Sequence, residues 1–262
     1  MLAYPEIRPY LIKIGPVQIR WYGLMYLVGF LGSFYLVKYQ LKRRGVSVKS
    51  EVLENLYLSI ITGLIVGARL GYVLFYNLAY YIGDPLEAMA VWHGGMSFHG
   101  GLIGAVIGGF IFCRMRKIDF LMFCDMVAVT TPVGLGLGRI GNFINAELFG
   151  RVSDVPWAMV FPGGGQHPRH PSQLYEFFLE GVVLFIIMWL LKDRLTVRRG
   201  ALTSVFIILY GVFRITVEFF REPDPQIGML AGIVTMGQLL SCVMILAGAA
   251  GLIISLKAHE RA

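Results

Sequence analysis

The stretch that decides the fold runs from Leu53 to Tyr76 and reads LENLYLSIITGLIVGARLGYVLFY. An α-helix of about 20 mostly apolar residues is long enough to cross the roughly 30 Å hydrocarbon core of a bilayer. This stretch has the required length, and Glu54 and Arg69 are its only charged side chains. We therefore predict that it spans a membrane as a helix.

Stretches of the same kind recur along the whole chain. We predict seven transmembrane helices, at residues 21–37, 53–76, 96–113, 120–137, 172–191, 201–220 and 233–256. The composition agrees, because 56% of the 262 residues are hydrophobic and only 15% are charged, whereas about a quarter of the residues in a soluble domain are charged. We expect an all-α, polytopic membrane protein that forms a single integral membrane domain over residues 1–262.

Basic residues indicate which ends of the predicted helices face the cytoplasm. They gather in the loops after helices one, three and five: Lys38, Lys42, Arg43, Arg44 and Lys49, then Arg114, Arg116 and Lys117, then Lys192, Arg194, Arg198 and Arg199. Cytoplasmic loops carry such an excess of lysine and arginine. We therefore place the N-terminus in the periplasm, the C-terminus in the cytoplasm, and a periplasmic loop region at about residues 139–171. Because the formal charge of +7 is explained by this topology, we expect no nucleic-acid partner.

Two patterns that could indicate a cofactor or a metal have simpler interpretations. Gly136, Gly138 and Gly141 match the GxGxxG dinucleotide fingerprint, but they follow an apolar helix and not a strand. The three cysteines form no CxxC pair and lie in or beside apolar runs, so we interpret them as packing residues. We expect neither a cofactor nor a bound metal.

Glycines recur at every fourth position in helices two and three. They are Gly63, Gly67 and Gly71, then Gly100, Gly104 and Gly108. In lipid, small residues on one face let helix backbones approach each other closely. We predict tight helix packing along both faces.

Polar side chains inside the predicted spans converge on one layer of the membrane. A charge in the hydrocarbon is costly, so each one is a candidate functional residue. On the predicted topology, the outer half of the membrane contains Tyr22, Arg69, His99, Arg139 and Arg214. Arg139 lies at the outer end of helix four, and Arg214 lies roughly 10 Å deep in helix six. We predict a site in the outer leaflet.

Arg139 belongs to the stretch GRIGNFINAE at residues 138–147, which also contains Asn142, Asn145 and Glu147. An arginine, two amides, a carboxylate and flanking glycines within ten residues are suited to hold an anion against exposed backbone. The alternative is that Arg139 only extends its side chain to the membrane surface. The clustering favours an anion site.

Tyr210, Arg214 and Glu218 are spaced by four residues and therefore share one face of helix six. A guanidinium held there would suit a lipid phosphate, and a purely structural ion pair is the alternative.

His99 lies among glycines near the water boundary, where it either transfers a proton or only forms a hydrogen bond between helices. For Arg69 two roles stay open, namely binding of a ligand and packing against neighbouring residues. The predicted layer holds more cations than carboxylates, which favours an anionic ligand.

A series of motifs carries a resemblance to a known family. In chain order they are IGP at residues 14–16, WYGLMY at 21–26, GGMSFHGG at 94–101, GRIGNFIN at 138–145, HPSQLYE at 170–176, YGVFR at 210–214 and MGQ at 236–238. With these motifs the sequence resembles the prolipoprotein diacylglyceryl transferases over nearly its whole length. Two departures are Ala146, at a position where glycine is common, and a short loop from Asp154 to His167.

The resemblance implies an enzyme of the bacterial inner membrane whose active site faces the periplasm. Such an enzyme transfers the diacylglyceryl group of phosphatidylglycerol, a membrane lipid, to the lipobox cysteine in the signal peptide of a prolipoprotein. The reaction forms a thioether, releases glycerol phosphate and is the first step of lipoprotein maturation. From the residues alone, two alternatives stay open: a transporter of an anionic solute, and a non-catalytic lipid-binding scaffold.

The resemblance also implies a role for each candidate residue. Arg139 and Arg214 hold the donor phosphate, and His99 accepts the proton of the acceptor thiol. A thiolate that the arginines stabilise without a histidine base is the alternative. The residues that bind or orient the substrates are Tyr22, Arg69, Asn142, Asn145, Glu147, Tyr210 and Glu218.

Overall fold

The computed structural model of the protein describes residues 2–15, 17–195, 198–223, 229–230 and 233–260, so Pro16 of the first motif lies outside it. The structure is 69% helical and contains seven helices long and apolar enough to cross a membrane. They are α1 (Trp21–Arg43), α2 (Ser50–Tyr76), α3 (Phe98–Arg116), α4 (Phe120–Ile144), α5 (Ser172–Leu191), α6 (Ala201–Glu218) and α7 (Met236–Glu260). The predicted all-α fold with seven membrane-spanning helices is confirmed.

α1 and α4 extend furthest beyond their predicted ends. α1 continues to Arg43 and α4 to Ile144, whereas the loss of apolar residues had suggested ends at positions 37 and 137. A helix satisfies its own backbone hydrogen bonds whatever the polarity of its side chains, so it can continue past the hydrocarbon. Arg139 therefore lies within the last turns of α4 and not at its end, and its backbone is fixed by the helix.

The fifth helix is not a regular α-helix throughout. Phe177–Val183 form a π-helical stretch between the α-helical segments Ser172–Glu176 and Leu184–Leu191. Apolar periodicity does not predict this feature, because every residue in the run stays helical. A π-helical turn shifts the face that later side chains present, and such turns are frequent at functional sites.

Contacts between residues divide the chain into two compact units. One comprises residues 38–123 and contains α2, α3 and a connection made of Leu78–Gly83, Pro85–Met89 and Val91–His93. Within it, α2 and α3 approach so closely that a Cβ atom at Gly67 would overlap the carbonyl oxygen of Gly100. The predicted glycine packing is confirmed for this pair of helices, whereas the single-domain organisation stays a prediction.

The other unit comprises residues 1–37 and 124–262. Its core lies where α4, α5 and α6 meet, and it contains Ala128, Val129, Leu184, Met188 and Leu202. α7 packs along α6. Short strands accompany the helices: β1 (Leu2–Ala3) pairs in parallel with β4 (Met159–Val160), β2 (Tyr10–Ile14) pairs antiparallel with β3 (Val17–Arg20), and β5 (Met229–Leu230) pairs antiparallel with β6 (Val234–Thr235).

The segment between α4 and α5 is held to the ends of neighbouring helices. The Arg169 guanidinium donates to the carbonyl oxygen of Gly164 (2.8 Å) and pairs with the Glu222 carboxylate (2.6 Å) beyond α6. The hydroxyl of Tyr4 donates to the carbonyl oxygens of Phe143 (2.6 Å) and Ile144 (3.1 Å), which are among the last of α4 and have no acceptor role inside the helix. These contacts fix the positions of the end of α4 and the start of α5.

Candidate functional site

Five charged side chains form an alternating series across three helices, which we call the charge ladder. Arg139 of α4 pairs with Glu176 (Nε to Oε2, 2.5 Å) and with Glu180 (Nη2 to Oε2, 3.6 Å), both of α5. Arg214 of α6 pairs with the other oxygen of Glu176 (Nη1 to Oε1, 2.8 Å) and with Glu218 (Nη2 to Oε2, 2.9 Å). Glu176 therefore bridges the two arginines.

The charge ladder is largely removed from the surface. Glu176 is 1% exposed, and Glu180 is 0% exposed. Buried charges are tolerated only when they are paired, and removing one partner of such a pair typically costs about 3–5 kcal/mol. The alternation of sign thus holds α4, α5 and α6 in one arrangement, and it fixes the directions of both guanidinium groups.

The composition of the ladder corrects one prediction. It contains three carboxylates, from Glu176, Glu180 and Glu218, against two guanidinium groups. The expected excess of cations over carboxylates is therefore wrong. The shared face of α6 is confirmed, because Arg214 and Glu218 form an ion pair one turn apart.

Glu176 and Glu180 are site residues that the sequence analysis does not identify. Glu176 follows the predicted helix start at position 172 so closely that it fits a helix entry, and Glu180 lies in an apolar run. The signal was nevertheless present: two carboxylates four residues apart inside a predicted span are costly in lipid, and such residues mark functional sites.

A second polar cluster adjoins Arg139. The Asn142 side chain accepts a long hydrogen bond from Arg139 (3.5 Å) and donates to Oε1 of Glu147 (2.8 Å). Asn145 donates to the same oxygen (3.2 Å), and Gln173 of α5 donates to the Glu147 backbone carbonyl (2.7 Å). The structure therefore brings the predicted Asn142, Asn145 and Glu147 together with Arg139.

The two predicted tyrosines lie beside these groups. The Tyr22 ring packs on Gly141, where a Cβ atom would come within 2.8 Å of the ring. Its hydroxyl shares a hydrogen bond with that of Tyr26 (3.1 Å). Tyr210 lies one turn before Arg214 on α6 and interacts electrostatically with both arginines of the ladder. Both tyrosines therefore belong to the electrostatic surroundings of Arg139.

Arg69 and His99 belong to the other unit, and each has a different environment there. Arg69 is 4% exposed and donates to four backbone carbonyls, of Glu87 (2.6 Å), Ala88 (2.9 Å), Gly94 (2.5 Å) and Gly95 (3.2 Å). In this structure its guanidinium clamps the connection before α3. Its predicted contact with a substrate stays a prediction.

His99 is the second residue of α3, which begins at Phe98 and not at the predicted position 96. Ser97 caps the helix by accepting a hydrogen bond from the backbone of Gly100 (3.2 Å). The His99 side chain is exposed at this helix start. Its predicted role as proton acceptor is compatible with this position and stays a prediction.

An aromatic group lies where α5 begins. The Tyr175 hydroxyl accepts a hydrogen bond from Nε1 of Trp157 (2.6 Å) and lies 3.0 Å from Nδ1 of His170. Burial lowers the pKa of His170, because a partly buried imidazole is less easily charged. The hydrogen bond between the His170 ring and the Tyr175 hydroxyl ties the α4–α5 segment to α5.

Comparison with known proteins gives consistent matches over most of the chain. The family model described as prolipoprotein diacylglyceryl transferase matches residues 9–254. A phosphatidylglycerol–prolipoprotein diacylglyceryl transferase of Desulfotalea psychrophila is 52% identical over 93% of this chain and 92% of its own length. Relatives of the same name are 51% identical in Geobacter sulfurreducens (94% and 95% covered) and 53% identical in Pseudomonas paraeruginosa (95% and 94% covered).

Proposed function

Because the chain belongs to the prolipoprotein diacylglyceryl transferase family, we propose that its charge ladder binds the phosphate of phosphatidylglycerol. The activity follows from the family: the chain is an enzyme that transfers the diacylglyceryl group of phosphatidylglycerol to prolipoproteins. The acceptor atom in this proposal is the thiol of the lipobox cysteine in the prolipoprotein signal peptide.

The observation that carries the phosphate assignment is the bridging carboxylate. One anionic group, the Glu176 carboxylate, contacts both arginines at the same time, at 2.5 Å from Arg139 and 2.8 Å from Arg214. The two guanidinium groups are therefore spaced for one small anion with two oxygens. A phosphate diester has this shape, and arginine binds phosphate and carboxylate with the same fork of N–H groups.

The enzyme must assist both the attacking thiol and the departing phosphate. The thiol sulphur attacks the glycerol carbon next to the phosphate ester, a carbon–sulphur bond forms, and the carbon–oxygen bond breaks. Its electron pair leaves on the phosphate oxygen, so glycerol phosphate departs with one more negative charge than the donor phosphate carried. Arg139 and Arg214 stabilise that charge as it develops, because they are already in place.

The thiol must also lose its proton. A thiol with a pKa of about 8.5 is only slightly ionised at neutral pH, so it needs a base or a positive field. In our proposal His99, exposed at the start of α3, accepts this proton. The proton then returns to solvent or to the released glycerol phosphate, and no residue of the enzyme is covalently modified.

The remaining candidate residues bind or orient the substrates. Asn142 and Asn145 hold the Glu147 carboxylate, which leaves Glu147 able to accept a hydroxyl of the glycerol headgroup. Glu218 directs the guanidinium of Arg214. We further assign Tyr22 and Tyr210 to contacts with the headgroup, and Arg69 to the placement of the connection that leads to His99.

The proposal places the enzyme in the bacterial inner membrane with the ladder near the periplasmic face. It is supported by the basic residues in the loops after α1, α3 and α5. An Asp154→Cys variant should react with a membrane-impermeant thiol reagent added outside. An Arg44→Cys variant should react only after the membrane is opened, and reaction of this variant from outside would reverse the topology.

Transfer by the purified protein tests the function directly. Full-length protein in detergent, supplied with phosphatidylglycerol and a lipobox peptide, should yield a peptide heavier by one diacylglyceryl group. Glycerol phosphate should appear in equal amount. The same assay with the Arg139→Lys/Arg214→Lys variant, which keeps both positive charges of the ladder but lacks the guanidinium forks, should show little transfer. Full activity of that variant would place the phosphate elsewhere.

A further inference from the structure

Glu176 occupies the position that the proposed function gives to the donor phosphate. Its two oxygens contact different arginines, at 2.5 Å on Arg139 and 2.8 Å on Arg214, and it is 1% exposed. No other carboxylate among the described residues pairs with both arginines, since Glu180 contacts only Arg139 and Glu218 contacts only Arg214. An anion that enters between the arginines must therefore compete with Glu176.

We propose that Glu176 is a placeholder for the lipid phosphate. In the free enzyme it holds Arg139 and Arg214 at the spacing that the phosphate needs. The donor phosphate displaces it, and it returns to the arginines when glycerol phosphate leaves. This inference rests on the proposed assignment of both arginines to the donor phosphate, and it gives Glu176 a positioning role.

The charges of the ladder favour an exchange over simple addition. With every group ionised, three carboxylates face two guanidinium groups, so the ladder already has one surplus negative charge. A phosphate added beside an unmoved Glu176 would bring a further anion into a buried site, where like charges repel strongly. If the phosphate takes the place of Glu176, each arginine keeps the same number of anionic partners.

Glu176 lies next to an irregular part of α5. Glu176 ends the first α-helical turns of α5, directly before the π-helical stretch Phe177–Val183. Such π-helical turns inside α-helices are frequent at functional sites.

A placeholder lowers donor affinity and assists product release. The apparent affinity of a ligand is its intrinsic affinity multiplied by the fraction of enzyme whose site is open. A carboxylate that leaves the site open for about one tenth of the time therefore weakens binding about tenfold. The same competition weakens the binding of glycerol phosphate after the carbon–oxygen bond has broken. Glu176 thus prevents the more highly charged product from remaining on the two arginines.

The Glu176→Gln variant separates these effects. Glutamine keeps the shape of the side chain but removes the competing charge, and the ladder becomes neutral, with two carboxylates against two guanidinium groups. The KM for phosphatidylglycerol should fall about tenfold, and glycerol phosphate should inhibit at about tenfold lower concentration. Single-turnover transfer should stay fast, whereas steady-state kcat should fall because product release becomes slow.

Glu180→Gln is the matched control. It makes the same change of charge one turn further along α5, at a residue that is 0% exposed, but Glu180 does not bridge the arginines. The KM and the inhibition by glycerol phosphate should therefore not fall in this variant. An equal decrease in both variants would mean that the total charge of the ladder matters and the bridging position does not, and it would overturn the placeholder.

Binding of glycerol 3-phosphate to full-length protein in detergent distinguishes failure of this inference from failure of the proposed function. If Arg214→Lys binds the probe as tightly as the parent protein, the phosphate site lies elsewhere and both fail. If Arg214→Lys binds weakly but Glu176→Gln binds no tighter than the parent, only the placeholder is wrong. Should Glu176→Gln not insert, Glu176→Asp replaces it: the shorter carboxylate cannot reach both arginines, so tighter binding is again expected, and unchanged binding refutes the inference.

Discussion

The backbone of Gly237 packs directly against the carboxylate of Glu218. A Cβ atom at position 237, near the start of α7, would lie 2.7 Å from Cδ of Glu218. Glu218 pairs with Arg214 at a distance of 2.9 Å. This glycine therefore helps to set the direction of the Arg214 guanidinium in the charge ladder. The MGQ motif at residues 236–238 thus has a physical role at the site.

Gly237→Ala should therefore reduce activity more than stability. The added methyl group pushes the Glu218 carboxylate aside, which redirects Arg214, and misplacement of a catalytic group by about 1 Å can cost on the order of 10²-fold in rate. Gly134→Ala is the control, because a Cβ atom there meets nothing within 4 Å. Transfer assays and thermal unfolding in detergent should show a slow but folded Gly237→Ala. Normal turnover would mean that Glu218 does not set the direction of Arg214.

Arg214→Lys should lose most of the transfer activity. One lysine ammonium keeps the charge but lacks the planar fork with which Arg214 contacts both Glu176 and Glu218. We expect the loss in kcat/KM measured with phosphatidylglycerol. Arg116→Lys, at the exposed end of α3, is a matched control and should stay active. If both variants have near-parental rates, Arg214 is only a charge that anchors the helices.

The sequence predicts different parts of this molecule with different success. Seven spans are predictable because each one carries its own signal of length and apolarity. The Arg214–Glu218 pair is predictable too, since both residues lie one turn apart on a single helix. The Arg139–Glu176 contact is not, because it joins α4 to α5 and depends on how helices pack. The π-helical stretch of α5 changes the periodicity from which that packing could have been inferred.

Ala146→Gly should stabilise the protein. Ala146 has φ 54°, in the left-handed region where a residue with a Cβ atom is strained by roughly 1–2 kcal/mol. Glycine adopts this conformation without that strain, so we expect a net gain of about 0.5–1 kcal/mol after its greater unfolded-state entropy is counted. Thermal unfolding in detergent measures the gain. The control is Ala249→Gly within α7, which should lower the stability. A loss of stability in both variants would show that Ala146 is unstrained.

Acidification below pH about 6.5 should destabilise the α4–α5 segment through His170. Burial lowers the pKa of His170 in the folded protein, so its contribution to stability is complete above the unfolded pKa and is lost as pH falls through the folded pKa. Nδ1 of His170 lies 3.0 Å from the Tyr175 hydroxyl, so a change in the charge of the ring also alters this hydrogen bond. The melting temperature should therefore fall less between pH 7 and pH 5 in His170→Gln than in the parent protein. Equal slopes would exclude His170 as the titrating group.

The protein's own cysteines should take no part in the reaction. A covalent mechanism needs a thiolate near the two arginines, with a base in reach. Cys113 is buried near the end of α3, and Cys124 lies close to the opposite end of α4 from Arg139. Cys124 and Arg139 are separated by 15 residues of α4, or roughly 22 Å at 1.5 Å per residue. Cys242 is exposed on α7.

The variant with Cys113, Cys124 and Cys242 all changed to Ala should keep transfer within a few-fold of the parent rate, because only packing contacts are lost. Its unfolding temperature should fall, chiefly through buried Cys113. The assay uses phosphatidylglycerol and a lipobox peptide, with detergent-solubilised parent protein beside the variant. If the variant inserts and folds but transfers nothing, one of these thiols carries the diacylglyceryl group. Mass spectrometry of the parent protein incubated with lipid and no peptide decides the same point, since direct displacement predicts that no lipid is attached to the enzyme.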